Sequence, residues 1–263
     1  MNRPRLSIPA RPEVIGHAGA GDFYPGNSLR SIEKALEIGV DRVEIDVQCS
    51  ADGNIVLVHN QKIRVGDRTR VPVSQVSTAD LRSFLPGFLT LAEAIEVING
   101  KVPLMLDIKG KGFTQALIEA IRLHGLDEHA SISCEELTIL RRLRATFPNM
   151  RLGFSAGHVS SGAPTRTGKR IAAAVSRSCI LYPLLALLTM TGANEVMIFH
   201  RGCSRALVSG LHRRGVLVNV WTVDRPASIR RALSLEVDGI ISNRPDLLRE
   251  EIARLSESSV APS

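Results

Sequence analysis

The chain has 263 residues, 44% of them apolar and 22% charged, enough to enclose a sizeable core in one large domain or two small ones. Its formal net charge of +7, carried mostly by arginine, favours anionic partners such as phosphates or lipid headgroups. With aromatics at 4% and no lysine-rich run there is little to stack bases, so nucleic-acid binding is not expected.

Strand-like and helix-like segments alternate along the whole length. Val14 to Gly16 reads as a short strand, and Leu29, Ile32, Ala35 and Leu36 put one apolar face on a helix over Asn27 to Ile38, which Gly39 ends as a C-cap. The strand Arg42 to Val47 follows, then the turn Ala51 to Asn54, a second apolar run ending at His59, and a polar loop through Thr69 and Thr78. A helix over Leu91 to Ile98 leads to the strand Leu104 to Ile108. Helix Phe113 to His124, strand Ser131 to Ser133, helix Glu136 to Thr146 and strand Arg151 to Phe154 come next. A long helical span from Lys169 to Thr191 precedes strand Glu195 to Phe199. Helix Ser204 to Arg214, strand Leu217 to Trp221, helix Pro226 to Leu235, strand Gly239 to Ile241 and helix Pro245 to Leu255 complete the chain.

That is the count of strand-then-helix units that one (β/α)8 TIM barrel needs, and a doubly wound open sheet would not ordinarily need so many. The expected fold is therefore α/β: a (β/α)8 barrel with a short insertion after its second strand. It forms a single domain over residues 1–263, with the core at about 13–255 and flexible termini.

The four cysteines, Cys49, Cys134, Cys179 and Cys203, show no C-x-x-C spacing, which argues against a zinc site or a disulfide framework. No signal-peptide pattern is visible in Met1 to Gly16, so a cytoplasmic protein is the default. The apolar run Cys179 to Met190 is too short and too interrupted by Pro183 to span a bilayer; it reads as a buried helix, with a membrane-facing loop as the alternative.

In a barrel, polar residues at the C-terminal ends of strands converge on one mouth. Those residues are His17, Glu44, Asp46, His59, Asp107, Lys109, Ser133, His200 and Trp221. Glu44 and Asp46 share one strand face about 7 Å apart, so they are either a solvated face or two ligands of a cation. Asp107 and the imidazoles tilt this toward a hard-cation site with acid/base groups beside it. Lys109 shares the Asp107 face by period two, as a phosphate or carboxylate partner or simply as a pair for a neighbouring acid. Trp221 is the only tryptophan and walls the substrate's leaving group or packs in the core. His200 and His158 follow strands and are weaker candidates for substrate contact. His124, His129 and His212 read as surface residues, Asp224 and Asn243 as caps of turns and helices.

Six motifs in register resemble the glycerophosphodiester phosphodiesterase family. They are Ile15-Gly16-His17-Ala18-Gly19, Pro25-Gly26-Asn27-Ser28, Val43-Glu44-Ile45-Asp46-Val47 with Asp52-Gly53, Val58-His59-Asn60, Val220-Trp221-Thr222-Val223-Asp224, and the tail from Val237-Asp238-Gly239 to Arg244-Pro245-Asp246. The resemblance covers nearly the whole chain and implies a barrel of the phospholipase C-like phosphodiesterase type. It implies that His17 and His59 are the general acid/base pair and that Glu44, Asp46 and Asp107 bind a divalent cation, Mg2+ or Ca2+. The family usually has glutamate at Asp107, whereas related spider-toxin-like phospholipases D carry aspartate. Two departures stand in the first loop: alanine at position 18, where the family's arginine contacts phosphate, and glycine at position 26, where it has an acidic residue. Lys109, Arg201 or arginines near Arg166 and Arg170 are candidates to replace that charge.

The leading functional expectation is metal-dependent cleavage of a glycerophosphodiester or similar small phosphodiester to a phosphomonoester and an alcohol, directly or through a cyclic phosphate. A second is a phospholipase D-like enzyme on lysolipids or sphingolipids, with the run Ile180 to Met190 as a membrane contact. A third is a binding descendant that keeps the cation without turnover, suggested by Ala18 and Gly26.

Overall fold

The computed structural model describes residues 4, 6–65, 69–156 and 181–258. Eight strands close into a parallel barrel: β1 (Glu13–Gly16), β2 (Arg42–Cys49), β6 (Leu104–Ile108), β7 (Ala130–Cys134), β8 (Arg151–Ser155), β9 (Glu195–Phe199), β10 (Leu217–Trp221) and β11 (Gly239–Ser242). Closure comes from β1, which pairs in parallel with both β11 and β2. Outside the strands pack α1 (Leu29–Ile38), α3 (Leu91–Ile98), α4 (Thr114–Leu123), α5 (Leu137–Thr146), α6 (Leu181–Thr191), α7 (Arg205–His212), α8 (Pro226–Ser234) and α9 (Pro245–Ser258). Gly39 ends α1 in the left-handed region at φ 79°, as its position predicts, and its amide donates to Ala35 and Leu36 carbonyls.

The insertion after β2 carries more structure than a polar loop. β3 (Ile55–Leu57) returns antiparallel along β2; β4 (Lys62–Val65) and β5 (Thr69–Pro72) form a hairpin, and α2 (Thr78–Phe84) follows. These pieces enclose a small core of their own around Val58, Ile63, Val73 and Leu81. Asp52 in the intervening turn accepts from Ser50 Oγ at 2.6 Å and Thr78 Oγ1 at 2.9 Å, which ties the turn to α2 and lowers its pKa to about 2.

Of the expected span from Lys169, residues 169–180 lie outside the described residues, as do His158, Arg166, Arg170 and Cys179. Its remainder is α6, with Leu184 and Leu188 buried against the barrel layer and Tyr182 and Met190 exposed. No helix among the described residues is long and apolar enough to cross a membrane. His129 is exposed and His124 and His212 are half-buried; His212 Nε2 lies 2.8 Å from Asp238, which also accepts the Val218 amide at 2.6 Å.

The barrel interior is layered because strand side chains alternate faces. Along β2 the even residues Arg42, Glu44 and Asp46 point inward, while Val43, Ile45 and Val47 join the core beneath the helices. At the N-terminal end Glu195, fully buried, pairs with Arg151 and lies 3.7 Å from Arg42, and Asn219 Nδ2 donates to it at 2.9 Å. Above this sit Ile15, Met105, Met197 and Ile241. Glu195→Ala is expected to cost about 1–3 kcal/mol in denaturant unfolding, since it takes a buried acceptor from Asn219 and one of two carboxylate partners from the Arg42 and Arg151 guanidinium groups, which keep Glu13. A loss under about 1 kcal/mol would mean that water already screens them.

Candidate active site

The parallel register of β2 and β6 sets Asp46 directly beside Asp107, and period two on β2 adds Glu44. One oxygen from each of Glu44, Asp46 and Asp107 lies within 4.8 Å of the others. Asp46 is fixed from behind by Asn27, whose Nδ2 donates to Asp46 Oδ2 at 2.7 Å and whose Oδ1 accepts the Asp46 amide at 2.9 Å. Glu44 Oε2 accepts the Ala18 amide at 2.8 Å. Burial holds the Glu44 carboxyl well above the usual carboxylate range, with Asp46 and Asp107 pushing the same way; Asp107 is raised by burial against the pull of Lys109.

Lys109 Nζ bonds Asp107 and stands 3.2 Å from Asp46 Oδ1. Burial lowers its pKa, but the three acids outweigh burial and hold it protonated. The ammonium does not saturate the acids: Asp46 Oδ1 is buried and has no aligned hydrogen-bond donor among the described residues. Three converging carboxylates, one with a spare buried oxygen, fit a hard divalent cation.

His17 follows β1 and its Nδ1 lies 2.7 Å from Asn243 Oδ1. Asp224 decides which way that amide faces. It accepts Asn243 Nδ2 at 3.0 Å and the Asn243 amide at 2.8 Å, so the side-chain oxygen is turned toward His17. The network thereby assigns the proton to Nδ1 and leaves Nε2 with a lone pair. Asp224 and Asn243 are thus more than caps; they form a line of support behind His17. His59 follows β3, and among the described residues its Nδ1 has Asn60 Oδ1 at 3.2 Å.

Both imidazoles, Glu44, Asp107, Lys109 and Ser133 border one cavity of about 320 Å3. Its floor is apolar: Met105, Met197, Ile241 and Trp221, the last edge-on to Phe199 at 5.8 Å. Glu135, Ser155 and Thr222 also border it; the strand-end rule could have found all three, since each ends or follows a barrel strand. His200 does not. It opens a single 3-10 turn, its ring lies edge-on to Phe199 at 5.0 Å, and it is absent from the cavity wall, a correction to its expected substrate contact. Arg201, on the same turn, is exposed.

The two departures in the first loop are neighbours in space: Ala18 stands at φ 47°, and a Cβ built on Gly26 would come 2.8 Å from the Ala18 Cβ.

Residues 17–247 match the model of the Glycerophosphoryl diester phosphodiesterase family. A glycerophosphodiester phosphodiesterase of Caldanaerobacter subterraneus subsp. tengcongensis is 26% identical over 254 residues, covering 89% of this chain and 95% of the relative. Two solved structures share the fold. A phosphodiesterase of Oleispira antarctica in complex with the product sn-glycerol-3-phosphate has a TM-score of 0.73 at 23% identity, covering 92% of this chain and 97% of that one. A glycerophosphodiester phosphodiesterase of Parabacteroides distasonis has a TM-score of 0.73 at 18% identity, covering 95% and 98%. With the family model matched over most of its length, the chain belongs to the glycerophosphoryl diester phosphodiesterase family.

Proposed function

We propose that this enzyme hydrolyses a glycerophosphodiester to sn-glycerol 3-phosphate and a free alcohol, with a divalent cation, Mg2+ or Ca2+, held by Glu44, Asp46 and Asp107. The observation that carries the reading is the convergence of those acids and two imidazoles on one cavity. The cation, when bound, supplies positive charge to a non-bridging phosphoryl oxygen.

The chain's own residues do the proton work. His17, with Nδ1–H spent on Asn243, offers Nε2 as the base that takes a proton from water, or from a neighbouring hydroxyl of the substrate, as its oxygen bonds to phosphorus. His59 gives a proton to the alkoxide as the opposite P–O bond breaks, because an alkoxide leaves poorly without one. With water as nucleophile, the balance is one water consumed and one monoester and one alcohol released. Lys109 borders the cavity and would offer an ammonium donor to a phosphoryl oxygen there, a positive charge in place of the arginine missing at position 18. Ser133 offers a hydroxyl beside Asp107 in the barrel register. The apolar floor with Trp221 receives the small glycerol arm instead of the leaving group. No side chain at position 18 or 26 takes part in these steps; position 18 contributes only its amide, to Glu44, which favours turnover over binding alone.

The test is a product-resolved panel of glycerophosphodiesters with added Mg2+ or Ca2+ and with a chelator. Glycerol phosphate released only with the cation supports the reading; a phospho-alcohol with free glycerol, or no product from any diester, overturns it. A positioning role for Asn243 is tested separately. Asn243→Ala is expected to lower kcat roughly 10- to 100-fold with KM little changed. A loss confined to kcat, at unchanged KM and Tm, is what a merely structural role would not give.

A further inference from the structure

The β4–β5 hairpin breaks the rule that like charges do not face each other across a pair of strands. Its antiparallel register sets Arg64 directly across from Arg70, with both side chains exposed on one face. Lys62, two residues before Arg64, projects from the same face and is also exposed. The other face is occupied: Ile63 is buried, and Val65 and Val71 pack with it against the small core of the insertion. Among the described residues none of these three cations has a carboxylate partner. In the sequence, residues 61–75 hold Lys62, Arg64, Arg68 and Arg70 against the one acid Asp67; Asp67 and Arg68 lie outside the described residues. A single charge is enough to keep an exposed strand from pairing with another chain. Two guanidinium groups in register cost stability without adding to that protection, and anionic groups laid across them remove the cost.

The hairpin stands at the mouth end of the barrel. Gln61 and Pro72, at its base, border a cavity with Lys109, Gly110 and Lys111 of the β6–α4 connection. All four exposed aromatic side chains among the described residues lie at this end too: Phe23 and Tyr24 in the β1–α1 loop, Phe84 at the end of α2, and Tyr182 in the first turn of α6. Loops that follow barrel strands, with the helix starts they lead into, face the mouth. Phe84 joins them because the connection after it touches the start of α1, where the Leu29 amide donates to the Gly87 carbonyl at 3.4 Å. Leu29 is exposed there, and the Arg30 guanidinium lies 5.6 Å over the Tyr24 ring with no carboxylate partner among the described residues. Other cations nearby are paired: Arg82 with Glu93, Lys34 with Glu37, Arg244 with Asp246. The exposed aliphatic residues Leu123, Met190 and Leu255 lie instead near the C-terminal ends of their helices, away from the mouth.

We propose that this end of the protein docks on an anionic phospholipid bilayer, with the Lys62, Arg64 and Arg70 face on headgroup phosphates and the exposed rings at the headgroup boundary. Cations alone fit any polyanion. The rings beside them select a bilayer, because aromatic side chains settle where hydrocarbon meets water, whereas single-stranded nucleic acid needs rings spaced along a groove for its bases to stack on. No helix among the described residues is long and apolar enough to cross a membrane, so the attachment is peripheral, electrostatic in large part, and reversible by salt. The inference concerns where the enzyme works. It stands or falls separately from the reaction proposed above.

The test is cosedimentation of the full chain with vesicles of phosphatidylcholine alone and of phosphatidylcholine with about 30% phosphatidylglycerol, at about 0.1 M salt and with a chelator so that no divalent cation bridges protein to lipid. Partitioning onto the anionic vesicles is expected to exceed that onto the neutral ones by at least about 10-fold, and to fall as salt is raised to about 0.5 M. Each cation contributes about 5-fold, so Lys62→Gln, Arg64→Gln and Arg70→Gln together should lower partitioning roughly 100-fold. Tyr24→Ser with Phe84→Ser should lower it roughly 3- to 10-fold at constant charge. Arg64→Glu separates binding from folding. It places an opposite charge across from Arg70, so Tm should hold or rise while partitioning falls. Equal partitioning onto both kinds of vesicle, undiminished partitioning in the triple variant or in Arg64→Glu, or a single-stranded oligonucleotide bound more tightly than the anionic lipid overturns the proposal.

Discussion

Replacing His59 by alanine is expected to slow hydrolysis of a diester with an aliphatic alcohol about 10²- to 10⁴-fold, the usual worth of a placed general acid. The same substitution should matter far less when the leaving group is p-nitrophenolate, which departs without a proton. His17→Ala should cost a comparable factor with either leaving group, because the nucleophile must lose its proton in both. Steady-state kinetics with both diesters reads these losses. Equal losses for His59→Ala on both substrates would exchange or dissolve the roles.

Removal of divalent cations is expected to lower kcat by about 10³-fold or more and to be reversible, since several kcal/mol of charge stabilisation leaves with them. It should also change stability in a pH-dependent way. Glu44 in the cation-free chain has its carboxyl raised above the unfolded value, so its contribution is present at low pH and is lost as pH rises through the folded value. With a cation on the three acids the sign reverses: the carboxylates are held ionised, and the stabilisation disappears as pH falls. The Tm gap between cation-loaded and chelated protein should therefore widen from about pH 5 to about pH 8, reaching roughly 5–10 °C at a hundredfold excess of cation over Kd. Differential scanning fluorimetry measures it; a gap that narrows with rising pH contradicts the assignment of these acids.

Much of this was legible in the residues. The barrel strands are short apolar runs at regular spacing, and Glu44 and Asp46 announce a shared face by period two alone. Asp107 joins them because its strand is the next one in the barrel, a neighbour only once closure is assumed. Asn243 and Asp224 were not legible as partners of His17. They stand 226 and 207 positions further along, and an Asp or Asn at a strand end looks the same whether it caps a turn or orients an imidazole. The β4–β5 hairpin was missed for a related reason: its strands have four residues each, and their exposed faces carry Lys62, Arg64 and Arg70, so their period reads as loop. His200 misled because ending a strand does not decide direction; after Phe199 the chain turns so that the ring packs beside Phe199. For Lys109 the sequence allows a phosphate or a carboxylate partner, and the structure pairs it with Asp107 and Asp46.

The most direct measurement is a titration of divalent cation into chelator-stripped protein, with calorimetric stoichiometry and turnover followed in parallel. One cation per chain, with activity rising in step with its occupancy and both lost in an Asp46→Asn, Asp107→Asn double variant that still folds, is the predicted result. Full turnover before any cation is added, or undiminished binding and turnover in that double variant, would contradict it.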